Sequence, residues 1–248
     1  MKEELELKKD VIEKVYDFRR KFNIKDEPIK DIYSLAFARE FIVLRFPFNQ
    51  GISGAYIEKK GRGDKIYRCI YINNREPIGR LAFSFMHEIY HAYYERSGDS
   101  VISYNQSRNP IEKKANKFAS YILIPRPYLR KIIMEMKGTK KSWNIKIEEI
   151  FDLQYMFGVS FLAVVKAIDE FRDTIKPRNI KMFYKYKNKK YWDELEKLTL
   201  NYDKNNFLNS CNPRVEWPDG LKENIEKNIK DGIILREDVE GLISFFEE

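Results

Sequence analysis

Histidine is almost missing from this chain: 2 of 248 residues. None is scattered over the surface for solubility, so the two invite reading as a pair. Cysteine is equally scarce, and Cys69 and Cys211 are far apart and in no metal-binding spacing. That argues against a disulfide framework or a cysteine-ligated metal module; Cys69, inside a strand-like run, reads as a small buried hydrophobe. No run of about eighteen apolar residues occurs, so no membrane span is expected. The opening MKEELELKKD lacks the apolar stretch of a signal peptide, and a reducing cytoplasm is the expected setting. The remaining composition, 43% apolar and 34% charged residues, is ordinary for a globular protein of one or two domains.

Both histidines fall in one five-residue stretch, His87-Glu88-Ile89-Tyr90-His91. On a helix, positions i and i+4 share a face, so the two imidazoles can grip one metal ion. Glu88 lies roughly 100° round the helix from His87, close enough to orient an attacking water. This H-E-x-x-H pattern is that of zinc peptidases, in which zinc lowers the pKa of the water and the carboxylate takes its proton. The pattern fixes only three positions and also arises by chance. Its surroundings strengthen it: from Arg80 to Glu95 the period is helical, with Ala82, Phe85, Met86, Ile89 and Tyr93 on one side. The motif falls on the opposite side, beside Arg80, Ser84 and Glu95, away from the apolar face.

Two histidines leave zinc half coordinated. Downstream, Asn109 can cap a helix and Pro110 suits its first position. Glu112 then shares a face with Ala115, Ala119 and Ile122, and the small residues allow close approach to the helix of the motif. A capping box with Asn109 would also account for Glu112; behind an H-E-x-x-H, the ligand reading is preferred. Asn116, one turn on, is placed to hydrogen-bond a ligand histidine.

At these residues the chain resembles the ImmA/IrrE family of zinc metallopeptidases. The stretch ISGAYIEKKG…YRCIYINNREPIGRLAFSFMHEIYHAYY looks like that family's strand, Asn-rich turn and metal helix. NPIEKKANKFASYILIP is similar to its E-x-x-A-[ND]-x-F-A signature, and FDLQYMFGVSFLAVVKAI resembles its helix-turn-helix-like segment. By this resemblance His87, His91 and Glu112 are zinc ligands and Glu88 is the base. Lys114 stands where the family often has an acidic residue, and Tyr90 where it often has glycine. The resemblance also implies a role: cleaving or otherwise inactivating a helix-turn-helix repressor to relieve repression.

The expected fold is α+β. A zincin-like peptidase domain (1–130) holds a small antiparallel sheet packed on helices, followed by a helical, helix-turn-helix-like segment (131–172) and a small C-terminal α/β extension of unknown role (173–248). Helices are expected over 5–22 and 28–40, strands over Phe41–Phe46, Ser53–Glu58 and Ile66–Asn73, with a turn at Gly61 and Gly63. An exposed strand edge near the site would align substrate as an extra strand. Ser97–Arg108 reads as a loop, with Tyr104 and Arg108 as candidate oxyanion donors. Gly158-Val159-Ser160 reads as a turn with Ser160 capping the next helix, and Phe161–Ile168 as scaffold, since it offers few side chains for reading bases. Beyond it come a strand-like run, Ile180–Lys187, and helices near 191–199, 220–229 and 236–247.

The net charge is +8. From Arg172 through Lys176, Arg178, Lys181, Lys185, Lys187, Lys189 and Lys190, only Asp173 opposes the basic residues, and Phe183, Tyr184, Tyr186, Tyr191 and Trp192 are interleaved. Such a mix is compatible with nucleic-acid binding or with docking an acidic repressor; a solvated basic strand or linker is the preferred reading. The leading expectation is a cytoplasmic zinc endopeptidase acting on a regulatory protein. The alternative is a non-proteolytic metal-containing regulator that binds a repressor or DNA.

Overall fold

The computed structural model describes residues 2–35, 38, 40–48, 51–60, 66–95, 101–104, 109–138, 143–171, 174, 177–218 and 220–247, without the side chains of residues 2–3 and 101–104. The first element is helix α1 (Lys2–Lys21). Its Val11, Val15 and Phe18 are buried, an i, i+4, i+7 stripe facing inward. A large apolar side chain fully buried in this way contributes roughly 1.5–3 kcal/mol.

Residues 28–40, expected as an α-helix, form bends, a turn and, at Ala38 and Glu40, 3-10 geometry among their described positions. Asp31 supplies a reason. Its Oδ1 accepts hydrogen bonds from the backbone N–H groups of Tyr33 and Ser34, at 3.0 and 3.3 Å, a local alternative to helical bonding. The segment still packs inward, with Ile32 buried and the Tyr33 ring 5.0 Å from Phe85.

Strands β1 (Ile42–Phe46), β2 (Ile52–Lys60) and β3 (Ile66–Asn73) lie where alternation put them. The turn at Gly61 and Gly63 lies outside the described residues. A fourth strand, β4 (Val101–Tyr104), forms inside the stretch read as a loop. The sheet order is β1-β3-β2-β4. The class is α+β as expected, but the sheet is mixed rather than antiparallel: β2 runs antiparallel to β3 and β4, whereas β1 pairs parallel with β3. Placement explains this. β3, with Ile70, Tyr71 and Ile72 buried, takes an interior position beside β1, and both run opposite to β2. Pro47 directly follows β1, which suits an edge strand because proline gives no N–H to a ladder.

Helix α2 (Ile78–Tyr94) follows β3 and packs on β2, β3 and α3 (Pro110–Leu123). Next come α4 (Arg126–Lys137), α5 (Ile147–Phe157) and α6 (Phe161–Asp169). Arg126 closes on Glu170 with two bonds of 3.0 and 2.8 Å, and Tyr121 donates to the same carboxylate at 3.1 Å. That ties the end of α3 to the residue capping α6. Helices α5 and α6 bend by 105° at Gly158, whose φ is +62°, an angle proper to helix-turn-helix units. Phe161, Val164, Val165, Ala167 and Ile168 of α6 are all buried, so this helix is committed to the core. Ser160 occupies its N-cap position without a side-chain capping bond.

The run Ile180–Lys187, expected as a strand, is a 3-10 helix. Its buried residues Ile180, Phe183 and Tyr186 recur at every third position, the period of that helix rather than of a strand. Phe183 and Tyr186 meet the Phe161 ring at 6.2 and 5.5 Å. These two aromatics of the basic stretch therefore belong to the core, and Lys185 pairs with Glu194 at 2.7 Å. Arg172, Asp173 and Lys176 lie outside the described residues. The extension is helical where an α/β unit was expected, with α7 (Trp192–Tyr202), α8 (Leu221–Lys230) and α9 (Arg236–Glu247). It reaches back to β1: Glu216 N donates to Arg45 O at 2.9 Å, and their side chains pair at 2.9 Å.

One hydrophobic cluster runs from Val11 to Tyr186, so packing crosses the positions 130 and 172 that divide the sequence. At the start of α2 backbone meets backbone closely. A methyl group on Gly79 would stand 2.9 Å from the carbonyl oxygen of Val159 and 3.0 Å from that of Leu208, and Ile78 N donates to Ser210 O at 2.9 Å. Backbone cannot yield as a side-chain tip can. Gly79→Ala is expected to destabilise the fold by about 1–3 kcal/mol, the usual cost of overpacking. Urea denaturation checks this; an unchanged midpoint would refute it.

Candidate metal centre

The approach to α2 is fixed by polar side chains. Asn73 accepts from Phe48 N and Arg75 N, at 3.1 and 3.2 Å, and donates to Ile52 O at 2.7 Å. Glu76 accepts from Ser53 Oγ at 2.9 Å and Ser84 Oγ at 3.3 Å, and pairs with Arg80 at 3.4 Å. These bonds lock β2, β3 and the first turns of α2 into one frame.

The sequence pattern put the motif on a face away from the core; the structure encloses it. Every residue from Ser84 to Ala92 is buried, including His87, Glu88 and His91. The reason is that α2 has neighbours on several sides, with the sheet over one flank and α3 against another. Helix α3 starts as its sequence suggests: Asn109 Oδ1 accepts from Ile111 N at 2.9 Å, with Pro110 in the first turn. Ala115 and Ala119 are fully buried, letting the two helices approach closely. Glu112 joins no capping box; its carboxylate turns to the histidines.

His87 Nε2 lies 2.9 Å from Glu112 Oε2 and 3.2 Å from His91 Nε2, and His91 Nε2 lies 3.4 Å from Glu112 Oε1. Donors around a tetrahedral zinc with bonds of 2.0–2.1 Å stand about 3.3 Å apart, so the triangle fits such an ion. The tautomers agree. His87 Nδ1 faces Asn116 Oδ1 at 3.1 Å, and His91 Nδ1 faces the carboxylate of Glu95. Both partners are acceptors, so each Nδ1 carries the proton and each Nε2 presents a lone pair. Two lone pairs and a carboxylate, buried and converging, repel one another without a cation between them. His87, His91 and Glu112 form one three-residue group able to hold a metal ion.

Glu88 is 1% exposed and stands beneath β2. A methyl group on Gly54 would lie 2.8 Å from Glu88 Oε1 and 3.0 Å from Tyr71 O, so glycine at this point of β2 makes room for the carboxylate. Across the strand, Gly54 is in register with Ser103 of β4. The edge of β2 beside Glu88 is thus occupied by the chain itself, and the sheet edge left on that side is the outer edge of β4. Of the two candidate oxyanion donors, Tyr104 is described only in its backbone, as the last residue of β4, and Arg108 lies outside the described residues.

The sequence reading missed three features: Gly54, β4 and Glu95. Gly54 had no signal apart from being a glycine in a strand. Glu95 did have one, since it follows His91 by four residues and so shares its face. The two departures from the family's pattern both meet α1. Tyr90 is buried, 5.6 Å from Phe118 and 5.5 Å from Tyr94 in ring-centroid distance, with Lys14 5.7 Å from its ring. Lys114 pairs with Asp10 at 2.8 Å. A basic residue at 114 and a large ring at 90 are both answered by α1.

The buried charges shift one another. Without a metal, protons at Nε2 take the cation's place: burial pushes the Glu112 carboxyl up, but the hydrogen bonds then donated by His87 and His91 outweigh it and hold the group at about 2. Burial pulls the His91 imidazole down, but Glu112, Glu88 and Glu95 together raise it above its ordinary 6.5.

Compared with known families, residues 40–169 match the Peptidase M78 model, the IrrE N-terminal-like domain. The match covers just over half of the chain and spans both motif-bearing helices, α2 and α3. No curated protein matched the chain.

These shifts set the pH behaviour of the metal-stripped protein. A raised histidine contributes stability that is complete below the unfolded value and lost as pH rises through the folded one; a depressed carboxylate contributes above its unfolded value and loses it as pH falls. Both contributions coexist between the ordinary values of 4.5 for Glu112 and 6.5 for His91. Denaturation of chelator-treated protein across pH should therefore show stability falling on the alkaline side of that window. Glu112→Gln should flatten the fall; an equally steep fall in that variant would contradict the coupling.

Proposed function

The chain belongs to the peptidase family of the IrrE N-terminal-like domain, and from that premise we propose that it is a zinc-dependent endopeptidase acting on a regulatory protein, a helix-turn-helix transcriptional repressor. The observation that carries this reading is the convergence of His87 Nε2, His91 Nε2 and Glu112 on one point, with the Glu88 carboxylate one helical step away. His87, His91 and Glu112 are the ligands in this reading, Asn116 the support of His87, and Glu88 the base. Zinc held there would polarise the scissile carbonyl and make a water acidic enough to be deprotonated near neutral pH.

The remaining chemistry falls to the chain. Glu88 takes a proton from the attacking water while the water oxygen bonds to the carbonyl carbon. It then returns the proton to the amide nitrogen as the C–N bond breaks. Its burial beneath β2 keeps bulk water from competing for the carboxylate. Extended substrate would add to a strand edge through backbone bonds, and that recognition tolerates many sequences. The repressor as substrate rests on the family resemblance. The cytoplasm as setting rests on two cysteines that form no disulfide, and no single described helix is long and apolar enough to cross a membrane.

Purified protein should carry about one equivalent of zinc, as a single site with three protein ligands requires. Incubation with a repressor encoded beside it should give a defined cleavage. Glu88→Gln should keep the zinc and the fold and slow cleavage about 10²–10⁴-fold, the range for a lost general base. Cleavage at the wild-type rate by this variant removes Glu88 from its role; a repressor bound but never cut favours the non-proteolytic regulator.

Gly54 separates position from ligation. Gly54→Ala should leave zinc content unchanged, since Gly54 touches no ligand, yet displace Glu88 by enough to cost about 10²-fold in cleavage rate. Wild-type turnover in this variant would show that the carboxylate has slack beneath β2.

A further inference from the structure

We propose that Glu95 is a positioning residue for the metal centre, acting through His91, and that its charge as well as its geometry sets the metal affinity. The inference rests on the zinc site proposed above. Both Nε2 atoms face the metal position, so each imidazole is aimed by what holds its Nδ1. The two holders differ chemically. His87 is held by the neutral amide oxygen of Asn116, from α3 at 3.1 Å. His91 is held by a carboxylate on its own helix. A carboxylate on the far nitrogen fixes the tautomer and increases the electron-donating power of the imidazole, more than an amide does.

The placement of Glu95 supports this use. It caps the C-terminus of α2, and its backbone N–H donates to His91 O at 3.1 Å. Main chain and side chain of one residue thus close the last turn around His91. A carboxylate at a helix C-terminus opposes the helix dipole, so helix formation does not call for an acid here. Among the described residues, it pairs with no lysine or arginine; its ion-pair partner is His91. His91 itself is fully buried, so its Nδ1–H has no water to fall back on, while the Glu95 side chain is 24% exposed and keeps part of its hydration.

The test uses the full chain with zinc or cobalt as the probe. Metal affinity is measured by chelator competition for wild type, Glu95→Gln and Glu95→Ala, together with the visible spectrum of the cobalt form and the melting of the metal-free protein. Glutamine keeps an acceptor of the same shape and removes the charge. It should weaken binding about 10-fold and shift the cobalt bands, with a cooperative metal-free melt showing that the fold is kept; alanine should weaken binding by up to about 100-fold. Glutamine binding metal as wild type does, with an unmoved cobalt spectrum, overturns the proposal even if alanine is impaired, because charge would then contribute nothing. Wild type that takes up no metal overturns the zinc reading and this inference together, so the two failures are distinguishable.

Discussion

Helix α2 carries His87, Glu88 and His91 into a position closed on several sides, and their polar atoms must be answered there without water. A buried polar group without a partner costs more than one hydrogen bond returns. Each imidazole is therefore held twice, by Asn116 or Glu95 at Nδ1 and by the convergent group at Nε2. The surroundings follow from this requirement. Ala115 and Ala119 let α3 come close enough for Glu112 and Asn116 to reach α2, and Gly54 lets β2 pass over Glu88. Side chains with more bulk at these points would separate the elements and leave the motif unsatisfied.

The frame behind the site is built to keep α2 from sliding. Its N-terminal end is clamped by Asn73 and Glu76 and by the close contact of Gly79 with the carbonyls of Val159 and Leu208. Its far end is backed by α1, through Phe18 against Phe118 and Tyr93 and through Lys14 over Tyr90 and Tyr94. Helix α1 and the C-terminal extension both lie outside the span matched by the family model, yet both press on the helix inside it. Tyr90 and Lys114, where this chain departs from the family's pattern, sit at the α1 contact. This suggests a division of labour: the family span supplies the motif-bearing helices, and the flanking segments hold α2 in place.

The sheet contributes more than support. Strand β4 arises between the two motif-bearing helices and pairs with β2 at the residues that pass Glu88. Access to Glu88 along the strand direction is therefore framed by a segment whose sequence, rich in polar residues and with one glycine, reads as a loop. Four residues of ladder bonding to an existing edge are enough to convert it.

What the sequence determined by itself was whatever depends on spacing along one element. His87, Glu88 and His91 share a helix, Glu112 and Asn116 share another, and their separations of three and four residues fix faces before any packing is known. The α+β class followed in the same way from helical and alternating periods. Only the tertiary structure decided what depends on which element becomes whose neighbour. The burial of the motif's polar face, the parallel pairing of β1 with β3, and the meeting of Gly54 with Glu88 all join residues far apart in sequence, so no local period encodes them. Ile180–Lys187 shows the boundary from the other side. Its three-residue period was present in the sequence, but aromatic content and alternating charge read equally as a strand, and contact with Phe161 of α6 selected the 3-10 form.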